Sequence, residues 1–166
     1  LLMASLSTES GNHDIDGWPY ALNEVAVHRS GAAMLGVDVC LDGKWLPTYW
    51  ADGLIVSTSS GSTAYSLSVG GPIMDPMCRC FVLSPLAPHN LTMRPVVVPD
   101  NVEVELQLMS RGSDAFISLD NRTFRLKDGA KLRIHLAEEQ LILATPHNNT
   151  FYDTLRKKMM WGVDHR

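Results

Sequence analysis

At 166 residues, 45% hydrophobic and 19% charged, the chain is long enough to bury one core and too apolar to be disordered. Its 14 basic and 18 acidic residues leave a formal charge of −4, which gives no encouragement to a nucleic-acid partner. No apolar run approaches the ~18 residues that span a bilayer, and the N-terminus lacks a basic-then-apolar signal layout, so no membrane partner is expected.

Residues 20–28 read as a strand interrupted by Asn23-Glu24. A polar pair there costs burial energy unless it lies at a sheet edge or meets a ligand. An adjacent amide and carboxylate can together read ribose hydroxyls; a solvent-facing edge pair is the competing reading. Residues 37–41 and 44–49 flank Asp42-Gly43, a tight-hairpin signal because glycine accepts positive φ.

Asp52-Gly53 then leads into a continuously apolar strand, residues 54–56, of the kind that is covered on both faces. Asp52 either forms a turn with Gly53 or accepts from a ligand carboxamide or amine. After this strand comes a loop of small hydroxyl residues and one short helix near residues 63–68, closed by Gly70-Gly71-Pro72. The opening turn of such a helix has free amide donors, Gly61 permits close backbone approach, and Ser60, Ser62 and Thr63 supply hydroxyls. This arrangement suits a phosphate-bearing ligand, and it equally suits a helix start capped by Ser or Thr.

Further strands are predicted at residues 81–83, 102–108, 123–127, 132–136 and 141–144, with Asp120-Asn121 as a second hairpin whose asparagine tolerates the left-handed position. A last helix begins near Thr150, with Phe151, Leu155 and Met159 at helical spacing and Arg156-Lys157-Lys158 in its final turn. Frequent short strands separated by proline and glycine turns are the profile of a mostly β, many-stranded sandwich.

Candidate chemistry is sparse. The cysteines Cys40, Cys78 and Cys80 are odd in number, and Cys78-x-Cys80 is the wrong spacing for a zinc knuckle, so reduced structural thiols in a cytoplasmic protein are expected. His89 lies in a proline-stiffened loop, and the other histidines (His13, His28, His135, His147, His165) form no metal-ligand spacing; no metal site is predicted. The chain has no GxxxxGKS/T loop, no GxGxxG after a strand and no GxSxG elbow.

Four blocks, in order, resemble the C-terminal domain of the NAD kinases, which phosphorylate NAD to NADP. They are ALNEV at residues 21–25, the segment 51–73, SPLAPHNLTMRP at residues 84–95, and FYDTL at residues 151–155 followed by Trp161. The resemblance implies a β-sandwich over residues 20–149, a lead-in at 1–19, a C-terminal helix and tail at 150–166, and substrates NAD and ATP with Mg2+. In the family a preceding α/β domain carries a GGDG aspartate, the candidate general base. These 166 residues contain no GGDG, so the chain is expected to be a fragment with no catalytic residue of its own.

The resemblance also implies site residues. Asn23 and Glu24 match the pair that contacts NAD ribose hydroxyls, and Asp52 matches an aspartate at one end of the dinucleotide. Thr63, Ala64, Tyr65, Ser66, Leu67 and Ser68 match the stretch lining the NAD site, with Ala87 near the adenine. The chain departs from the family at Arg122, where Asp-Gly-Gln is usual, and at Ser59-Ser60, where Pro-Thr is usual; Ser60 keeps one hydroxyl. Homo-dimers or tetramers are expected by resemblance. The alternatives are a lipid kinase of the diacylglycerol or sphingosine type, a non-catalytic dinucleotide-sensing β-domain and a purely structural module.

Overall fold

The structure, a computed structural model, describes residues 1–8, 11–144 and 150–160. His147, Trp161 and His165 lie outside the described residues, as does the side chain of His13. In chain order the strands are β1 (Leu2–Thr8), β2 (Gly11–Asp14), β3 (Tyr20–Ala21), β4 (Glu24–Arg29), β5 (Leu35–Leu41), β6 (Lys44–Ala51) and β7 (Gly53–Thr58). A 3-10 turn (Ser60–Thr63) and a single helical turn, α1 (Tyr65–Ser68), follow. Then come β8 (Cys80–Leu86), β9 (Val96–Pro99), β10 (Val104–Met109), β11 (Ala115–Leu119), β12 (Arg122–Leu126), β13 (Lys131–Leu136) and the helix α2 (Phe151–Met159).

Two antiparallel sheets face each other. One runs β2-β1-β13-β10-β5-β6, with β3 also pairing β1; the other runs β12-β11-β4-β7-β8-β9. Period-two alternation decides what lies between them. Val25 and Val27 of β4, Leu54 and Val56 of β7, and Phe81 and Leu83 of β8 meet Leu2, Val37, Val39, Leu106, Leu132 and Ile134 of the opposite sheet in one core. Residues 1–8, read from sequence as a lead-in, are integral to this sandwich: Leu2 and Ala4 are fully buried.

Both expected hairpins form. Asp42-Gly43 joins Leu41 to Lys44 with φ of 49° and 72° at the two turn residues. In the second hairpin the left-handed residue is Asp120 (φ 51°) and not Asn121, a difference that shapes the candidate site. The run 20–28 is not one strand: it breaks after Ala21 in the first sheet and resumes at Glu24 in the second. Because β4 lies between β11 and β7, the edge-strand reading of Asn23-Glu24 is overturned.

The expected strand at residues 141–144 does not form. Leu141, Ile142 and Leu143 are 53%, 91% and 66% exposed and lie in irregular chain beyond β13. An apolar run specifies a strand only where a neighbouring edge is there to pair it. The C-terminal helix does start at Thr150, whose Oγ1 accepts from the Asp153 N–H at 3.1 Å, with Arg156, Lys157 and Lys158 in the last turn.

The outer face of the second sheet carries Ala26, Ile55 and Val82, all fully buried although they point away from the core. The segment from the 3-10 turn to Met74 covers them. Ser66 Oγ meets Ser84 Oγ of β8 at 3.1 Å, and Ser62 Oγ accepts from the Met74 N–H at 3.0 Å. Gly71 closes the cover: a Cβ there would sit 2.2 Å from Ser66 Oγ and 2.7 Å from the Ser66 carbonyl oxygen. Gly71→Ala is therefore expected to displace the Ser66–Ser84 contact and cost about 1–3 kcal/mol, read as a lowered midpoint in thermal or urea unfolding; an unchanged midpoint contradicts the close packing.

Candidate functional site

Asn23 and Glu24 occupy the point where the chain crosses from one sheet to the other. A crossing has no ladder partner for its amides, so they must be satisfied locally. Asp120 does this: its Oδ2 accepts from the Leu22 N–H at 2.8 Å and its Oδ1 from the Asn23 and Glu24 N–H groups at 2.8 and 3.2 Å. The carbonyls of the crossing are held from the β7 side. Thr58 donates its N–H to the Asn23 oxygen at 2.9 Å and its hydroxyl to the Leu22 oxygen at 2.8 Å.

The Thr58 hydroxyl also accepts from the Gly61 N–H at 2.9 Å, which ties the hydroxyl loop to the crossing. A Cβ on Gly61 would lie 2.1 Å from the Asn23 oxygen. Glycine is needed here so that the loop can touch Asn23, not so that a ligand can touch the loop. The neighbouring amides are committed as well: Ser62 N–H donates to Ser59 oxygen at 3.2 Å and Ala64 N–H to Gly61 oxygen at 2.9 Å. Neither Ser59 nor Ala64 caps with its own side chain; the Thr58 hydroxyl takes that part for the 3-10 turn. The single helix expected near residues 63–68 is instead a 3-10 turn followed by one helical turn, and its small residues pack the loop against the sheet.

Glu24 is 7% exposed. Its carboxylate accepts from the Tyr65 backbone N–H, which offsets only part of its burial. Burial first, and the Asp120 charge second, hold its pKa above the ordinary 4.5. Among the described residues, Glu24 Oε2 is the one buried side-chain oxygen or nitrogen without a hydrogen-bond partner. A buried polar atom left this way needs a ligand or water to complete it.

His28 lies two pleats from Glu24 on the same face of β4, by period two. Its ring stacks on that of Tyr65, centroids 5.8 Å apart and planes 22° apart. Burial lowers the His28 pKa, favouring the neutral ring, and raises that of Tyr65, with Glu24 adding to the latter. The result is a half-buried aromatic floor beside a buried carboxylate.

Asp52 lies at the other end of the β4–β7 pair and forms an ion pair with Arg29, Nε to Oδ1 at 2.6 Å. Glu24 pairs with Ser57, and the Arg29 N–H meets the Asp52 oxygen, so the two residues lie five positions of strand apart, roughly 16 Å along the backbone at ~3.3 Å per residue, and the odd offset sets Glu24 and the Arg29–Asp52 pair on opposite faces of the sheet. Ser60, Thr63 and Ser68 are exposed, and Ala64, Tyr65 and Leu67 are partly exposed, so they form the accessible lip of the loop. Ser66 is fully buried with its hydroxyl committed to Ser84. Ala87 is exposed in a positive-φ loop (42°) after β8. Arg122 donates to the Trp18 and Tyr20 carbonyls at 2.8 and 2.6 Å, fastening β12 to the chain ahead of β3.

Sequence reasoning missed Asp120, His28 and Arg29. The alternation of β4 puts Glu24, Ala26 and His28 on one face, and that signal could have found His28. Nothing local marks Asp120, whose partners are 96 to 98 residues away. The four principal cavities, of 160 to 670 Å3, lie elsewhere, and none is lined by Asn23, Glu24 or Tyr65. Among the described residues no group of three or more His, Cys, Asp or Glu side chains is placed to hold a metal ion.

Comparison with known proteins bears on the family and the fold. The profile of the family described as ATP-NAD kinase C-terminal domain matches residues 22–146. The chain is 41% identical over 165 residues to the NAD kinase of Flavobacterium psychrophilum, covering 99% of this chain and 56% of that protein. It is 46% identical over 145 residues to the NAD kinase of Porphyromonas gingivalis, covering 87% of this chain and 50% of that protein. The crystal structure of yeast NADH kinase complexed with NADH matches with a TM-score of 0.86 at 23% identity, over 99% of this chain and 50% of that one, a likeness of fold alone. An NAD kinase from Archaeoglobus fulgidus in complex with ATP matches with a TM-score of 0.64 at 28% identity, over 83% of this chain and 52% of that one. The chain spans about half the length of the relatives it matches. With its two-sheet topology, and with the family profile matched from the sheet crossing at Leu22 onward, the chain belongs to the ATP-NAD kinase C-terminal domain family.

Proposed function

We propose that this chain is the NAD-binding part of an NAD kinase that transfers the terminal phosphoryl group of ATP to the 2′-hydroxyl of the adenosine ribose of NAD, giving NADP. The observation that carries the reading is the unpartnered buried oxygen of Glu24. A carboxylate is acceptor-only, so its complement is a donor, and a ribose diol brings two. Asn23 beside it both donates and accepts. The aromatic floor of Tyr65 and His28 suits a flat ring or ribose face, and Asp52, at the far end of the strand pair, suits a carboxamide or exocyclic amine.

Phosphoryl transfer demands mainly positioning and charge stabilisation. In this reading the chain supplies positioning: it holds the acceptor hydroxyl and contributes no general base, a role the family gives to a GGDG aspartate absent from these 166 residues. Mg2+ would come with ATP as part of the substrate and would screen the phosphate charge; no residue of this chain is assigned to hold it. Homo-oligomer formation belongs to the same reading; the exposed Val96 and Val97 on the edge strand β9 support it. So does the compartment: no helix among the described residues is long and apolar enough to cross a membrane, and we place the protein in the cytoplasm.

Because the chain supplies positioning alone and spans about half the length of its relatives, by itself it is expected to bind NAD weakly and to form NADP from ATP, Mg2+ and NAD slowly or not at all. Calorimetric titration and a coupled NADP assay measure the two; fast turnover by the chain alone contradicts the assigned division of labour.

The buried charge gives a second test. The Glu24 pKa is raised in the folded chain, so its ionised form destabilises the fold above its ordinary value of 4.5, and the penalty disappears at lower pH where both states are protonated. Glu24→Gln is expected to raise the melting temperature at pH 7, with a gain that shrinks towards pH 4. The same variant is expected to weaken NAD binding about tenfold, ~1.4 kcal/mol, by losing the charge-assisted acceptor. A variant that is less stable at pH 7, or that binds NAD as wild type does, refutes this account of Glu24.

A further inference from the structure

The crossing at residues 22–24 presents three successive backbone N–H groups to one side. Such a row is an anion-binding nest, and in many proteins the anion is a ligand phosphate. Here the anion is internal. The Asp120 carboxylate takes all three donors, at 2.8, 2.8 and 3.2 Å, and the Asp120 N–H returns a bond to the Glu24 oxygen at 3.0 Å. Four hydrogen bonds thus join one residue to three. The left-handed φ of 51° at Asp120 is what turns its side chain back over the crossing.

From the opposite side Thr58 holds the carbonyls, and Gly61 packs against Asn23. The backbone of 22–24 is therefore gripped on both edges, which leaves the Asn23 and Glu24 side chains as the parts free to meet a ligand. We propose that Asp120 is a positioning residue for dinucleotide binding: its carboxylate fixes the backbone of the Asn23-Glu24 pair in the binding geometry before any ligand arrives. The proposal rests on the NAD-binding reading above and adds to it a residue that touches no substrate.

Preorganisation is the physical content. A crossing that had to order on binding would spend part of the interaction energy on that ordering. Asp120 makes the ordering part of folding instead. Its charge has a second effect at short range, since it acts with burial to disfavour the ionised form of Glu24. The other titratable groups around Glu24 are Tyr65 from α1 and His28 on its own strand.

The test uses Asp120→Asn and Asp120→Gly in the 166-residue chain. Asparagine and glycine both accept the left-handed conformation, so the hairpin is retained while the carboxylate is lost. In both variants, amide exchange at Leu22, Asn23 and Glu24 is expected to quicken at least tenfold, while the amides of β7 and β8 keep their protection. NAD affinity, measured by calorimetry, is expected to fall about tenfold. In Asp120→Asn the pH midpoint of the remaining NAD binding is expected to move down, because the charge that raised the Glu24 pKa is gone; a merely structural loss would weaken binding without moving it.

Unchanged exchange at the three amides, or NAD affinity within twofold of wild type, overturns the proposal. If the unaltered chain shows no saturable NAD binding, the functional reading has failed, and the exchange rates alone judge the clamp: faster exchange upholds it and unchanged exchange rejects it.

Discussion

Two residues separate a strand of one sheet from a strand of the other, and the polar backbone they expose must be satisfied at the rim of a hydrophobic core. Amides left bare at such a place cost about 1–3 kcal/mol each, so the crossing exists only because distant residues complete it. Asp120 supplies the acceptor and Thr58 the donors. The end of β7 and the β11–β12 hairpin then have fixed positions around the start of β4, since both are bonded to residues 22–24, and the hydroxyl loop follows through the Gly61 bond to Thr58. A single backbone requirement places three segments of the chain around Glu24.

Glu24 itself runs against stability. Its burial raises its pKa, its neighbour Asp120 adds a like charge, and one of its oxygens has no partner. A core position would be filled better by an apolar residue of similar size. Stability alone offers no reason for a buried carboxylate next to another carboxylate. The proposed function does: an acceptor held rigid, partly desolvated and incomplete is one that a hydroxyl-bearing ligand would complete. The proposed site is thus marked by a local defect in packing logic, the unpartnered Glu24 oxygen, and not by one of the four principal cavities.

The sequence reads well wherever structure is set by neighbours along the chain. The Asp42-Gly43 hairpin, the apolar strand within β7 and the helix at Thr150 depend on residues within a few positions of each other, and all three form. The reading fails where a partner is remote. Residues 141–144 have strand-like composition but pair with no strand among the described residues, and their apolar side chains stay exposed. Asp120 looked like half of a turn because its three amide partners are nearly a hundred residues away. The hydroxyl loop was misjudged for a related reason. Ser62 and Ser66 look like ligand contacts in sequence, whereas the β8 strand and Met74 consume their hydroxyls.

The loop still serves the site, by another route. Its amide donors are spent on internal bonds, yet one of them, the Tyr65 N–H, is spent on Glu24. The Tyr65 ring is spent on His28. Packing of residues 60–74 over Ala26, Ile55 and Val82 is therefore what sets the Tyr65 backbone against the carboxylate and its ring against the imidazole. Burial under this cover is fixed by serines and glycines too small to hold it open, which is why a segment rich in hydroxyl groups can cover one part of a sheet and place Tyr65 beside Glu24 and His28 at another. Small size, rather than hydrogen-bonding capacity towards a ligand, is the property that the buried members of this loop contribute.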